Sequence, residues 1–185
     1  MSPPTRAPDR ERAFRSLYTA VYPDALRFAQ RRILREHAED VVAEAFLVVW
    51  RRFDDVPRAD DDARAWVFGI VRNVLLNDRR GERRREALGI RLADSATLVV
   101  DAHDDAVVSA VDLAAAWRRL PAAHQEVLAL AAFEGLTAPQ AGVVLGISPV
   151  AVRLRLTRAR RALRAHLDHL PQRAATPALA GRTTR

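Results

Sequence analysis

The chain of 185 residues has no cysteine and no lysine. Lacking cysteine, it can form no disulfide, no thiol redox switch and no thiolate zinc site. Lacking lysine, it carries all 30 of its basic charges on arginine. No apolar run approaches the length of a membrane span, and the opening residues, MSPPTRAPDR, have no signal-peptide core. The expected location is therefore cytoplasmic, with no membrane insertion. No internal repeat, P-loop, GxSxG or GxGxxG motif occurs. His166 and His169 lie three apart around Asp168, without further ligands at metal-binding spacing. No Ser/His/Asp grouping stands out. The sequence offers no catalytic constellation and calls for no cofactor; the expectation is a protein that is not an enzyme.

What remains is hydrophobic at 49% and charged at 29%, the balance of a globular protein, with a net charge of +7. The length admits one large or two small domains. Arginine forks bind phosphate and guanine at two points, so the balance favours nucleic acid as a partner. An Ala-rich, all-Arg composition also follows from a GC-rich genome, with no functional meaning.

The stretch from Leu136 to Leu163, LTAPQAGVVLGISPVAVRLRLTRARRAL, predicts helix, tight turn, helix. Thr137 can cap the first helix, with Pro139 in its first turn. Gly146 suits a left-handed residue past the helix end. Ser148 then caps the second helix, and Pro149 takes its first position. Val152, Leu156, Ala159 and Leu163 recur at helical spacing and share one face. Leu154, Thr157 and Arg161 point the other way, flanked by Arg153, Arg155, Arg158 and Arg160. Such a helix suits the DNA major groove. The bland alternative is a surface helix kept soluble by its arginines.

Residues 1–9 are Pro-rich and read as a loose arm. Arg10 to Arg35 predicts one or two helices, with Pro23 opening the second. HAEDVVAEAFLVVWRRF, from His37 to Phe53, is amphipathic, with Val41, Val42, Ala45, Phe46, Val49, Trp50 and Phe53 on a broad apolar face. Glu36, Glu39, Asp40 and Glu44 crowd its first half, and Arg51 and Arg52 end it. Acids first and bases last complement the helix dipole. The same acids would also form a docking patch. Asp54 to Asp62 reads as a loop, followed by a basic helix from Ala63 to Arg80. Arg72, Asn73, Asn77, Arg79 and Arg80 on that helix, followed by Arg83, Arg84 and Arg85, supply the charge and amides that single-stranded nucleic acid needs. Trp66 and Phe68 fit core packing, Trp66 especially.

Leu88 to Val108 loses helical periodicity and carries Asp94, Asp101, Asp104 and Asp105. It reads as a flexible acidic linker that could weakly cover the basic surfaces. Helices return with Val111, Leu113, Ala114, Trp117 and Leu120. Pro121 starts another helix, which Gly135 ends. Residues 171–185 form a polar tail, expected to be disordered.

Two basic helical modules joined by an acidic linker resemble the bacterial RNA polymerase sigma factors of the extracytoplasmic-function group in the sigma-70 family. The likeness covers about Phe14 to Leu167. AEDVVAEAFLVVWRRF resembles the region 2 helix that binds the clamp coiled coil of the largest polymerase subunit. ARAWVFGIVRNVLLNDRRGERRR resembles the part that opens and reads the −10 element. LPAAHQEVLALAAFEGLTAPQAGVVLGISPVAVRLRLTRARRAL resembles region 4, the reader of the −35 element.

The resemblance implies an all-α chain of two small domains: residues 10–87 as region 2, 88–108 as linker and 109–170 as region 4. It implies a transcription initiation factor whose partners are core RNA polymerase (clamp coiled coil and β flap), duplex −35 and single-stranded −10 promoter DNA, and an anti-sigma protein. In holoenzyme the protein would be nucleoid-associated. Glu39, Asp40 and Glu44 would face the polymerase. Asn73 would contact an extruded −10 base, with Trp66, Arg72, Arg79 and Arg80 beside it and Asp54 to Asp62 forming the pocket. A flipped base costs a few kcal/mol of stacking, which that pocket must offset. Ser148, Arg153, Leu154, Arg155, Thr157 and Arg158 would serve the −35 element.

The chain departs from the pattern at Ala43 and Val48, which make the docking face more apolar, and at Gln140-Ala141-Gly142. Gly142 costs about 1 kcal/mol of helix stability relative to Ala, and would let the second helix approach closely. Leu154 stands where relatives often carry Ser and could touch a thymine methyl or an anti-sigma protein. The rivals are a stand-alone helix-turn-helix regulator, which leaves the His37–Phe53 and Ala63–Arg85 helices without a role, and a protein-interaction scaffold whose DNA binding would be weak, sequence-blind and lost in salt.

Overall fold

The computed structural model describes residues 7–81 and 104–168, and these form seven α-helices and one 3₁₀ turn. The amino-terminal module is α1 (Ala7–Gln30), α2 (Arg35–Arg51) and α3 (Asp60–Gly81), with the 3₁₀ turn at Phe53–Asp55. The carboxy-terminal module is α4 (Asp104–Arg118), α5 (Ala122–Ala132), α6 (Ala138–Leu145) and α7 (Pro149–Asp168).

Four stretches differ from the sequence expectation. Pro23 does not open a new helix; it lies inside α1. It is exposed there, so solvent can serve the carbonyl that its missing N–H leaves free. The first turn of α1 also takes in residues assigned to the arm. Asp60, Asp61 and Asp62 are the first turn of α3 rather than loop, because three carboxylates complement the positive end of a helix. Asp104 and Asp105 likewise open α4 instead of closing the linker. The remainder of the proposed linker, Leu88 to His103, and the proposed tail lie outside the described residues.

Within the first module, Ala38, Val41, Val42, Ala45, Phe46 and Val49 of α2 are buried against α1 and α3, as the apolar period demands. Trp50 is the exception: it stays 39% exposed, edge-on to Phe14 and under the Arg10 guanidinium. Phe28 and Phe68 stack at the centre with centroids 4.9 Å apart and rings 9° from parallel. Arg32 caps this stack on the Phe28 side and Arg64 on the Phe68 side, 3.5 and 4.9 Å from the ring centres. Stacked guanidinium and ring faces attract through the ring quadrupole.

In the second module α5 is the buried centre: every residue from Gln125 to Leu130 is buried. Gln125 donates from Nε2 to the carbonyls of Trp117 and Leu120, at 2.9 and 3.0 Å. It thereby ties α5 to the end of α4, where the Trp117 carbonyl also accepts from the Leu120 amide at 3.0 Å. The two modules are not separate bodies. α6 packs along α3, and the apolar residues of both modules form one continuous cluster.

Candidate nucleic-acid interface

The helix-turn-helix follows from its caps. Gln140 Oε1 accepts from the Thr137 amide and hydroxyl, at 3.0 and 2.9 Å, so the start of α6 is closed by the residue reaching back. Gly146 takes a left-handed φ of 66°, and Gly135 does the same before α6. The Ala151 amide donates to Ser148 Oγ at 3.2 Å, capping α7. Gly142 is needed for contact rather than conformation. A Cβ there would lie 2.7 Å from the Ile147 carbonyl oxygen, so only glycine lets the turn fold back onto α6.

These joints set the rotation of α7. Val152 and Ala159 are buried, and Leu156 and Leu163 pack against the core. The opposite side is open: Arg153, Leu154, Thr157, Arg158, Arg160 and Arg161 are exposed, with Arg155 half-buried. Leu154 is 50% exposed amid arginines. Ser148 is exposed at the helix start. The proposed −35 residues thus share one accessible, basic face with an apolar spot at its centre, a shape that suits base edges and methyl groups framed by phosphates.

The proposed −10 residues are not gathered in the same way. Asn73 is exposed on α3. Trp66 is half-buried against the apolar cluster, with the Arg52 guanidinium over its ring, and Phe68 is fully buried. Arg72 points into the second module, where its Nε lies 2.7 Å from Glu126 Oε1 and its Nη2 lies 3.2 Å from Oε2. The side chains of Arg79 and Arg80 lie outside the described residues.

On α2, Glu39, Asp40 and Glu44 are all exposed. Asp40 and Glu44 continue at helical spacing into Leu47, which is 58% exposed. Sequence reading missed Leu47 as part of this stripe, although its place three residues after Glu44 is out of phase with the apolar face.

Sequence reading also missed a cluster between the modules. Arg31 Nη2, just past α1, donates to both oxygens of Glu134 at 2.8 Å. Arg32 Nη1 donates to the Phe28 carbonyl at 2.8 Å and lies 3.8 Å from the same glutamate. Burial lowers the Arg32 pKa to about 10, against the raising effect of Glu134 and Glu126. Arg64 pairs with Asp24 at 2.7 Å and donates to the Glu134 carbonyl at 3.0 Å. Gln140 donates to Asp62 at 3.1 Å. No sequence signal of short range marks these pairs, whose members are as much as 103 residues apart.

Among the described residues no group of acids and histidines could hold a metal ion, and no helix is long and apolar enough to cross a membrane.

Residues 17–85 match the family model of sigma-70 region 2, and residues 110–163 match that of sigma-70 region 4. The chain is 34% identical over 136 residues to the ECF RNA polymerase sigma factor SigL of Mycobacterium tuberculosis, covering 72% of this chain and 76% of that one. The solved structure of CnrH in complex with the cytosolic domain of CnrY is 31% identical, with a TM-score of 0.56 over 85% of this chain and 89% of that one. Sigma factor RpoE of Bartonella quintana, in complex with the anti-sigma factor NepR, shares the fold at 22% identity and a TM-score of 0.59, covering 85% of this chain and 98% of that one.

Proposed function

This chain belongs to the extracytoplasmic-function group of the sigma-70 family and is an RNA polymerase sigma factor, and from that premise we propose how its surfaces divide the work. Region 2, residues 10–87, docks on core polymerase through Asp40, Glu44 and Glu39, extended by exposed Leu47. Acids beside an apolar contact fit a helical partner surface of mixed or basic character. The same module captures the opened −10 strand with Asn73, Arg72, Trp66, Arg79 and Arg80. Region 4, residues 109–170, reads the −35 duplex with the exposed face of α7, from Ser148 through Arg158.

The observation that carries this reading is the pairing, on one chain, of a capped helix-turn-helix whose basic face is open with a first module that presents an acidic stripe. A stand-alone regulator needs only the former. The chain acts by binding and not by catalysis. The residues between α3 and α4 tether the two readers at the spacing that polymerase imposes. An anti-sigma partner is proposed because the similar chains CnrH and RpoE were solved with CnrY and an anti-sigma factor.

Transcription in vitro with core polymerase on a library of genomic fragments tests the assignment. Start sites that share two upstream elements at constant spacing are expected only when this chain is added. Equal promoter binding by the chain alone would favour the stand-alone regulator instead.

A further inference from the structure

The open face of α7 is not uniformly polar. Val150 is 65% exposed and Leu154 50%. Four residues separate them, so their side chains stand one above the other on the helix. Thr157 follows three residues later on the same side. Its hydroxyl donates to the Arg153 carbonyl at 3.0 Å, so its one hydroxyl proton is spent inside the helix. The row from Val150 through Leu154 to Thr157 therefore offers no free donor. At about 100° per residue, Arg153 lies to one side of the row and Arg158 to the other. Both arginines are exposed and, among the described residues, form no ion pair.

An apolar row one side chain wide, set between two free guanidinium groups, fits a duplex groove: phosphates for the arginines, base edges for the row. A protein partner would call for a broader apolar core with aromatic anchors, and the row contains none. The first residues of a groove-reading helix are those that reach base edges, and Val150 is the second residue of α7. The apolar feature that a base pair shows in the major groove is the C5 methyl of thymine. Cytosine methylated at C5 shows the same methyl at the same place.

We propose that Val150 and Leu154 read pyrimidine C5 methyl groups in the −35 duplex, so that the chain selects thymine at two neighbouring positions and, in their place, prefers 5-methylcytosine to cytosine. The inference rests on the −35 reading of α7 above. Four residues advance the helix by about 6 Å, close to two base-pair steps of about 3.4 Å, so the two methyls lie within two base pairs of each other. Promoter choice by this chain thereby responds to cytosine methylation of the −35 element.

The probe is a promoter duplex taken from the mapped start sites and bound by the holoenzyme, with each −35 thymine replaced in turn by deoxyuridine. That exchange removes the C5 methyl and keeps every hydrogen-bonding group. Two neighbouring positions should each lose about four-fold in affinity, the worth of one buried carbon. Val150→Ala should abolish the loss at one of them and Leu154→Ala at the other. Melting by circular dichroism checks that the variants are folded, and the deoxyuridine series on the parent chain tests the proposal without any variant. At the same two positions, a 5-methylcytosine duplex should bind about four-fold more tightly than its cytosine counterpart.

A −35 element without thymine on either strand, or a flat deoxyuridine series on a promoter that the holoenzyme transcribes, overturns the inference and leaves the sigma-factor reading standing. Variants that keep the parental deoxyuridine response also overturn it, because the row would then face a protein instead of DNA. Equal binding of the cytosine and 5-methylcytosine duplexes overturns the cytosine half. The same methyl dependence shown by the chain alone, with no transcription when core polymerase is added, would support the contact and overturn the sigma-factor reading instead.

Discussion

Arg72 on α3 and Glu126 on α5 form a two-point ion pair at 2.7 and 3.2 Å, although 54 residues separate them in the chain. The pair joins α3 of one module to the central helix of the other. Its strength is measurable by a double-mutant cycle. Arg72→Ala and Glu126→Ala should each lower the urea midpoint, and the double variant should lose less than the sum, by about 1–3 kcal/mol. Strictly additive losses would show that the two residues do not act together.

The Glu134 cluster predicts an asymmetry. Glu134→Leu leaves Arg31 and Arg32 without their shared carboxylate in a dry site, which should cost about 3–5 kcal/mol. Arg32→Met removes a desolvated charge, keeps apolar contact with Phe28 and should stay within about 1 kcal/mol of the parent. The order of the two melting temperatures decides the point.

The lowered Arg32 pKa adds a sign to this comparison. The folded chain releases that proton at about 10, well below the ordinary arginine value. Between these values the unfolded chain holds more protons, so stability rises with pH across that window for this group. Relative to Arg32→Met, the parent should gain stability as pH passes 10; a falling difference would contradict the desolvated environment.

Gly142→Ala opposes two effects. Helix propensity favours alanine by about 1 kcal/mol. The new Cβ would meet the Ile147 carbonyl at 2.7 Å, and that atom belongs to the turn backbone and cannot swing away. Overpacking of this kind costs about 1–3 kcal/mol. The net result should be a lower melting temperature together with weaker −35 binding. An increase in melting temperature would mean that the turn shifts freely.

On α7, Arg158→Ala should weaken holoenzyme binding to the −35 duplex by about 1–3 kcal/mol if it contacts a base, and the loss should vanish on scrambled duplex. Leu154→Ser should alter preference at one base position while leaving the salt dependence unchanged, since no phosphate contact is lost. A steeper or shallower salt slope would mean that Leu154 only positions its neighbours.

Asp40→Arg should abolish holoenzyme assembly, read by native gel with core polymerase, and leave the melting temperature unchanged because Asp40 is exposed and makes no bond described above. Normal assembly would remove α2 from the docking surface.

The sequence by itself determined the local features. The caps at Thr137 and Ser148, the left-handed Gly146 and the buried stripe of Val152 and Ala159 depend on neighbours within one or two turns, and spacing alone reveals them. The same short range explains the errors. Pro23 read as a break because its exposed position in α1 was not visible, and Trp50 read as core because period counts faces but not what covers them.

Only the tertiary structure decided which charges meet. Arg72 belongs to a set of similar arginines until α5 brings Glu126 against it, and Glu134 is one acid among many until Arg31, Arg32 and Arg64 converge on it. Ionic pairing between distant segments has no period. It follows from the docking of α6 on α3, whose apolar contact aligns the two modules. Gly142 combines both kinds of information: its departure from the family pattern is written in the chain, but the Ile147 carbonyl that requires it is found only in the folded turn.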